Sequence, residues 1–453
     1  MSRLVIVSNR VPPPRERGQL AGGLAVALRE ALAGREAMWF GWSGSHAHAA
    51  ATAPRQTRVG RISFATIDLP TADYEGYYRG FSNGMLWPLL HYRLGLAEFR
   101  REDLAAYRRV NEAFAAALRP LLRPDDLVWV QDYHLIPLGA CLRRLGFAGR
   151  VGFFLHVPFP PQAIFGALPQ GAALLADFDA YDVLGMQTAD DAENINVMLA
   201  EAGHGVRAAC FPIGIDPDSF AAEARTAAVG PEAERLRGSL AQRSLILGVD
   251  RLDYSKGIPL RFRGFAQLLK RFPEHRNRVT LLQIAPVSRG DVAQYRALRR
   301  ELDELAGRIN GEHAEFDWVP LRYLTQTVAR TTLAGFQRVA RIGLVTPLRD
   351  GMNLVAKEFV AAQDPADPGA LVLSRFAGAA RALEGAIVVN PYDPDEIAEA
   401  LHIALTMPEA ERRQRWERMW QAVRQHTAAT WAKSFLAQLA AAAAELPAGA
   451  VQR

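Results

Sequence analysis

A chain of 453 residues that is 49% apolar and 22% charged, with a formal net charge of +5, carries enough apolar material for substantial cores and too little net charge for disorder as its main state. No apolar run reaches the ~18–20 residues that span a bilayer. Residues 1–10, MSRLVIVSNR, read as a strand rather than a secretory leader, so a cytoplasmic protein with no membrane partner is expected.

In chain order, strands are predicted at 4–8, 38–42, 62–67, 127–131, 151–156, 182–186 and 207–212. After a break they resume at 245–249, 279–285, 316–319, 342–346, 371–374 and 387–390. Helices are predicted at 23–33, 104–122, 138–145, 190–202, 259–271, 292–310, 354–363, 394–406 and 408–425. Near-continuous apolar strands alternating with helices imply buried parallel sheets covered on both faces, an α/β fold. The pattern runs twice. The break, 216–243, is polar and holds Pro217, Gly230, Pro231 and Gly238, which suggests a helical or loose connection. The expected organisation is therefore two doubly wound, Rossmann-like domains facing a cleft, 1–240 and 241–425. A C-terminal helix and tail, 426–453, is expected to pack back on the first domain. Cys141 and Cys210 make neither a disulfide framework nor a metal cluster, and both are expected to be buried.

Of the 53 cationic residues four are lysine: Lys256, Lys270, Lys357 and Lys433. Where arginine is the default cation, a loop lysine suggests a place that wants a compact, mobile ammonium. Basic and acidic residues are interspersed, so nucleic-acid binding is not indicated.

Open parallel sheets bind ligands beyond the carboxyl ends of their strands. There the first half offers Ser8-Asn9-Arg10, Asp132-Tyr133-His134, and His156 ahead of Val157-Pro158. The second half offers Asp250 to Gly257, with Arg251 and Lys256, then Pro286 to Asp291, with Arg289, then Pro347 to Asn353. Arg251 and Lys256 can bracket a pyrophosphate, and a helix opening after Asn353 aims N–H groups the same way, which points to a nucleoside diphosphate. Asp350 and Glu358 are spaced to accept hydroxyl hydrogen bonds at opposite ends of one ligand. Ala21-Gly22-Gly23-Leu24 opens a helix after the first strand and fits either a simple turn or a close backbone approach to a ligand. Neither GxGxxG nor a P-loop is present. The acidic pairs Asp177/Asp179, Asp216/Asp218 and Asp393/Asp395 read as turn and capping residues, so no metal and no cofactor is expected. Trp87 ends an aromatic cluster, YYRGFSNGMLWP, that suits either sugar stacking or a core.

The segments VSNR, AGGLA, YYRGFSNGMLWP, QDYHL, GFFLHVPFP, VDRLDYSKG, QIAPVSRGDV and GLVTPLRDGMNLVAKEFVAAQ resemble, in order and over nearly the whole chain, the bacterial trehalose-6-phosphate synthases. These are retaining glycosyltransferases of the GT-B architecture. The resemblance implies a nucleotide-glucose donor and glucose 6-phosphate as acceptor, with UDP, ADP and GDP left open. It implies an acceptor site of Arg10, Tyr78, Trp87, Asp132 and Arg289, with Arg10, Tyr78 and Arg289 on the phosphate. It implies a donor site of Gly22, Gly23, His156, Arg251, Lys256, Val328, Asp350, Gly351, Met352, Asn353, Leu354, Val355 and Glu358, with Glu358 on the ribose and Val328 near the base. Asp132, His156, Arg251, Lys256 and Asp350 would carry the catalysis, by front-face attack without a metal. One departure concerns Gln131, where the family usually has histidine. No phosphatase signature comes after these segments, so a single-activity synthase is the expectation, with assembly into a homo-oligomer left open. A related synthase with another acceptor (glucosylglycerol-phosphate synthase) and a silent sugar-phosphate sensor remain the alternatives.

Overall fold

The computed structural model describes residues 2–13, 27–29, 32, 35–48, 53–287 and 293–442. Most of the predicted helix at 23–33, and Gly22, Gly23 and Arg289, lie outside the described residues. The chain forms two compact units, Met1–Pro212 with Ala428–Arg453, and Ile213–Thr427. The division falls earlier than residue 240 because the connecting stretch is a helix pair, Pro217–Ala228 and Pro231–Leu240, that packs on helix Arg330–Val339 of the second unit.

The first unit holds β1 (Leu4–Arg10), β2 (Ala37–Ala47), β3 (Arg55–Val59), β4 (Ile62–Pro70), β5 (Leu127–Gln131), β6 (Arg150–Phe154), β7 (Val183–Met186) and β8 (Ala208–Cys210). Among the described residues these make one sheet in the order β3-β4-β2-β1-β5-β6-β7-β8, parallel except for the β3–β4 pair. All five residues of β3 are exposed, so it has no apolar signature and the sequence reading missed it. All five residues of β5, LVWVQ, are buried, as a central parallel strand requires. The strand order reverses between β1 and β5, which makes the carboxyl ends of these two strands the switch point.

The second unit holds β9 (Ser244–Val249), β10 (Val279–Ile284), β11 (Leu321–Leu324), β12 (Ile342–Val345), β13 (Ala370–Ser374) and β14 (Ile387–Val389). Its sheet runs β11-β10-β9-β12-β13-β14, all parallel, with the reversal between β9 and β12. A single apolar core of Ile246, Phe262, Leu281, Leu344, Val372 and Leu401, among others, joins the sheet to its helices.

Two expectations need correction, and one open reading is resolved. The strand predicted at 316–319 is a turn closed by Glu315 and Trp318, with Phe316 wholly exposed; the strand is β11, a few residues later. Cys210 is exposed, because it ends the edge strand β8, whereas Cys141 is buried. The aromatic cluster is a π-helix, Glu75–Leu86, whose wider i→i+5 turn hides any 3.6-residue period; Tyr77, Phe81 and Met85 share its buried face.

The last helix, Ala428–Ala441, lies on β5, β6 and β7 of the first unit. Phe435, fully buried, stacks on Trp129 with ring centroids 4.8 Å apart. It is seated where two strands carry glycine: a Cβ at Gly152 would fall 2.8 Å from the Phe435 ring, and one at Gly185 2.9 Å. No helix among the described residues is long and apolar enough to cross a membrane. Truncating Phe435 to alanine empties that seat. It should cost about 3–5 kcal/mol of stability, read as a lowered midpoint in urea with an unchanged slope.

Candidate active site

In the second unit the polar residues gather at the switch point because the strand interiors are apolar. Asp250 comes directly after β9, Gln283 lies near the end of β10, and Thr346 comes directly after β12. All three meet Arg261, which is 0% exposed. Its Nη1 donates to Asp250 Oδ2 at 2.5 Å and to Gln283 Oε1 at 2.7 Å, and its Nε donates to Thr346 Oγ1 at 3.0 Å. Its Nη2 reaches the Lys256 carbonyl at 3.4 Å. Burial raises the Asp250 carboxyl above its ordinary value, and the adjacent Arg261 opposes that rise. The sequence reading did not single out Arg261. A signal was present: Ile258, Arg261, Phe262, Phe265, Leu268 and Leu269 fall on one buried helix stripe, and an arginine there must be fully partnered.

The loop after β9 continues as a short 3₁₀ turn, Tyr254–Lys256. Asp253, fully buried, accepts from Ser255 N at 2.9 Å and from the Tyr295 hydroxyl at 3.0 Å. Gly257 then turns at φ 65°, with a site for Cβ only 2.5 Å from the Thr346 carbonyl, so glycine alone fits. Leu348 N donates to Ser255 O at 2.7 Å and ties this loop to the one after β12.

That tie brings Lys256 Nζ to Asp350 Oδ2 at 2.5 Å, with side chains 11% and 14% exposed. Asn353 Nδ2 donates to the same Asp350 oxygen at 3.0 Å, while its own Oδ1 accepts from Ala356 N at 3.2 Å and caps helix Leu354–Ala362. Asn353 adopts φ 71°, and Gly351 and Met352 are buried beside it. Lys256 is thus already paired with a carboxylate, which the sequence did not reveal. An ammonium has three donors, and the Asp350 contact occupies one. Arg251 is exposed on the same loop.

Leu354 and Val355 are half-buried in the first turn of the helix, and Glu358 lies one turn on. Glu358 Oε1 is 4.0 Å from Arg330 Nε, and Arg330 Nη1 is 3.3 Å from Glu223 Oε2. Burial raises the Glu358 carboxyl to about 7, partly opposed by Arg330 and reinforced by Glu223. Glu223 and Arg330 escaped the sequence reading because helix Pro217–Ala228 reads as a connector and helix Arg330–Val339 was not predicted. Val328 is half-buried in the loop between β11 and that helix.

In the first unit the switch point brings together Arg10, Tyr78, Asp132 and His156. Arg10, exposed at the end of β1, lies over the Trp42 ring at 5.7 Å. Tyr78 stacks on Tyr74 at 5.2 Å and on His134 at 5.7 Å. The π-helix is tied down by two bonds the sequence did not foreshadow, Tyr77 OH to Asn9 Oδ1 and Tyr133 OH to Asn83 Oδ1, each 2.9 Å. Trp87 is only 5% exposed, its ring packed on His91 at 4.1 Å and Tyr133 at 5.7 Å.

Asp132 takes φ 75° and ψ 166°, a conformation costly for any residue but glycine. The bonds from Asp132 N to Phe154 O at 2.8 Å and from His156 N to Asp132 Oδ1 at 3.1 Å hold it there. His156 is gripped by two glutamines: Nε2 lies 2.8 Å from Gln131 Oε1, and Nδ1 lies 3.4 Å from Gln187 Nε2. A carbonyl oxygen accepts and an amide nitrogen donates, which assigns the proton to Nε2. Burial lowers the imidazole to about 3, so the ring is neutral. The acidic pairs behave as caps or ion-pair partners: Asp216 and Asp393 cap helices, the buried Asp177 pairs with Arg108, and Asp179 with His204.

The sequence matches the family model described as Glycosyltransferase family 20 over residues 2–441. It is 48% identical over 458 residues to the trehalose-6-phosphate synthase of Sinorhizobium fredii, covering 97% of this chain and 99% of that one. The crystal structure of an α,α-trehalose-phosphate synthase (UDP-forming) from Burkholderia vietnamiensis aligns with a TM-score of 0.95 and 46% identity, covering 97% of this chain and 99% of that one. The Burkholderia xenovorans protein of the same description, solved in complex with glucose-6-phosphate, aligns with a TM-score of 0.93 and 46% identity over 97% of this chain and 100% of that one. With its two switch-point sites and this match along almost its full length, the chain belongs to glycosyltransferase family 20.

Proposed function

We propose that this protein is a retaining glucosyltransferase that moves glucose from UDP-glucose to glucose 6-phosphate, giving α,α-trehalose 6-phosphate. The observation that carries the reading is the Lys256–Asp350–Asn353 group at the capped start of helix Leu354–Ala362, on the switch point of the second sheet. A cation, a helix N-terminus and a carboxylate together suit a sugar joined to a diphosphate. The UDP-forming activity named for both Burkholderia proteins supports uridine as the nucleoside, and the bound glucose-6-phosphate of one supports the acceptor. A cytoplasmic setting goes with this reading.

In this assignment Arg251 and Lys256 grip the diphosphate, and Gly351 to Val355 meet it through the backbone at the helix start. Glu358 accepts from the ribose hydroxyls, and Val328 lies against the base. Gly22, Gly23 and His156 meet the donor glucose. Arg10, Tyr78 and Arg289 hold the acceptor phosphate, Trp87 shapes the acceptor pocket, and Asp132 orients the attacking sugar. As the bond from the donor C1 to the diphosphate oxygen breaks, the acceptor hydroxyl attacks from the same face. Its proton passes to the departing phosphate oxygen, so C1 keeps its configuration. The protein's part is positioning and stabilisation of the charge on the leaving group. His156, neutral and with both ring nitrogens held, contributes shape and hydrogen bonding rather than a proton.

Incubation of the purified protein with UDP-glucose and glucose 6-phosphate should release UDP and form a non-reducing disaccharide phosphate. No UDP release with this pair, or release with glycerol 3-phosphate instead, overturns the reading. Lys256→Ala should lower turnover at least ~10²-fold, the usual cost of one charge-stabilising group.

Arg261→Lys keeps the buried charge but not the fork. Steady-state kinetics should show kcat/KM for the donor falling about tenfold with the acceptor KM unchanged.

With Glu358 titrating at about 7, hydroxyls that donate to it bind best when it is ionised. The donor KM should therefore rise as pH falls through 7, and a Glu358→Gln variant should lose that dependence.

A further inference from the structure

At the opposite, amino end of the second sheet, helix Ile258–Arg271 runs out at Phe272 and a short turn, Pro273–His275, leads into β10. Helix Pro394–Thr406 packs beside it and carries His402 near its last turn. His275 Nε2 lies 2.9 Å from His402 Nδ1, which lies 3.7 Å from Glu274 Oε1. All three donor atoms fall within 4.8 Å of one another. His275 is 7% exposed, and the His402 ring is fixed by flat stacking on Phe272, with centroids 4.1 Å apart and planes at 10°. Nothing in the proposed reaction uses these residues.

The chemistry of the trio is that of a cation site. Two facing imidazoles share one proton in their hydrogen bond. Moving that proton to the far nitrogen of its ring frees two convergent lone pairs, with no proton lost. Metal–nitrogen bonds of roughly 2.0–2.1 Å in a tetrahedron put neighbouring donors roughly 3.3 Å apart, between the two separations from His402 Nδ1, 2.9 and 3.7 Å, with the third pair within 4.8 Å. Both helices direct the negative ends of their dipoles to this corner, which favours a cation. Arg271, in the last turn of the first helix, is engaged by Asp395 and Glu399.

We propose that Glu274, His275 and His402 bind a divalent ion of borderline softness, with Zn²⁺ as the type and solvent in the fourth position. The ion would staple the turn before β10 to helix Pro394–Thr406. It is a stabilising site, because the proposed chemistry sits at the other ends of these strands.

The test uses the whole protein with Cys210→Ser, which removes the exposed thiol, stripped of metal and titrated with Zn²⁺ alone by calorimetry. One equivalent should bind in the micromolar range or tighter and raise the unfolding temperature by a few degrees. Glu274→Gln should weaken it at least ~tenfold, and His402→Gln, checked for native circular dichroism, should abolish both the binding and the shift. Turnover with both sugar substrates should not change on Zn²⁺ addition. Retention of the tight equivalent by His402→Gln, or none in the parent protein, overturns the proposal.

Discussion

A guanidinium does not shed its proton, so complete burial of Arg261 obliges the second unit to supply it with acceptors. Those acceptors are residues at or just after the carboxyl ends of three neighbouring strands, β10, β9 and β12: Gln283, Asp250 and Thr346. The same guanidinium reaches the Lys256 carbonyl, so the backbone that carries the proposed diphosphate-binding ammonium is fixed from below. Asp350 and Asn353 fix its tip from the side. The loops at a switch point have no sheet beyond them to hold them. Here a buried ion pair and one shared carboxylate replace that missing support, and a geometry that would otherwise need a ligand to order it is present beforehand.

The first unit meets the same need differently. Among the described residues its switch point has no buried arginine holding the strand ends; it has a residue in a costly conformation, Asp132, held by a backbone bond to the end of β6 and by the His156 amide. Beneath it Gln131 and Gln187 hold His156 in one tautomer. With histidine at 131, the residue the resemblance leads one to expect, the partner of Nε2 could itself titrate. Glutamine cannot, so this chain's His156 keeps one proton arrangement across the working pH range. The departure at Gln131 is thus a change in how the ring is fixed, and Asp132 is reached by an independent set of bonds.

Much of this was legible because parallel sheets announce themselves. Buried strands such as LVWVQ and SLILGV are apolar almost throughout, so polar groups must collect just beyond their carboxyl ends. Hence the strand ends alone single out Asp132, His156, Lys256, Asp350 and Asn353 as candidates. The residues that escaped were set by tertiary context. Strand β3 has no buried face to mark it. The π-helix breaks the period by which helices are recognised. Helix Pro217–Ala228 reads as a polar connector until helix Arg330–Val339 packs on it, and only then do Glu223 and Arg330 surround Glu358. Arg261 was legible in principle, as a cation on an apolar stripe, but its meaning lay in three strands distant in sequence.

The scarcity of lysine gives these placements a last physical reading. Lys256 must reach Asp350 from a tight turn and still offer donors to a ligand, and a compact ammonium does both where a planar fork would commit itself to the carboxylate. Lys357 is buried on the helix that begins at Leu354, and its Nζ donates to the Ile213 carbonyl at 2.6 Å. Burial lowers it to about 8 while raising its neighbour Glu358 to about 7, since loss of water disfavours charge of either sign. Two adjacent side chains on one helix are thus both brought to titrate near neutral pH, from opposite directions. A guanidinium at 357 would bring extra donors needing partners that a single carbonyl cannot supply. Lys256 in the proposed site and the buried Lys357 therefore stand where arginine, the chain's default cation, would be the wrong shape at one and over-supplied with donors at the other.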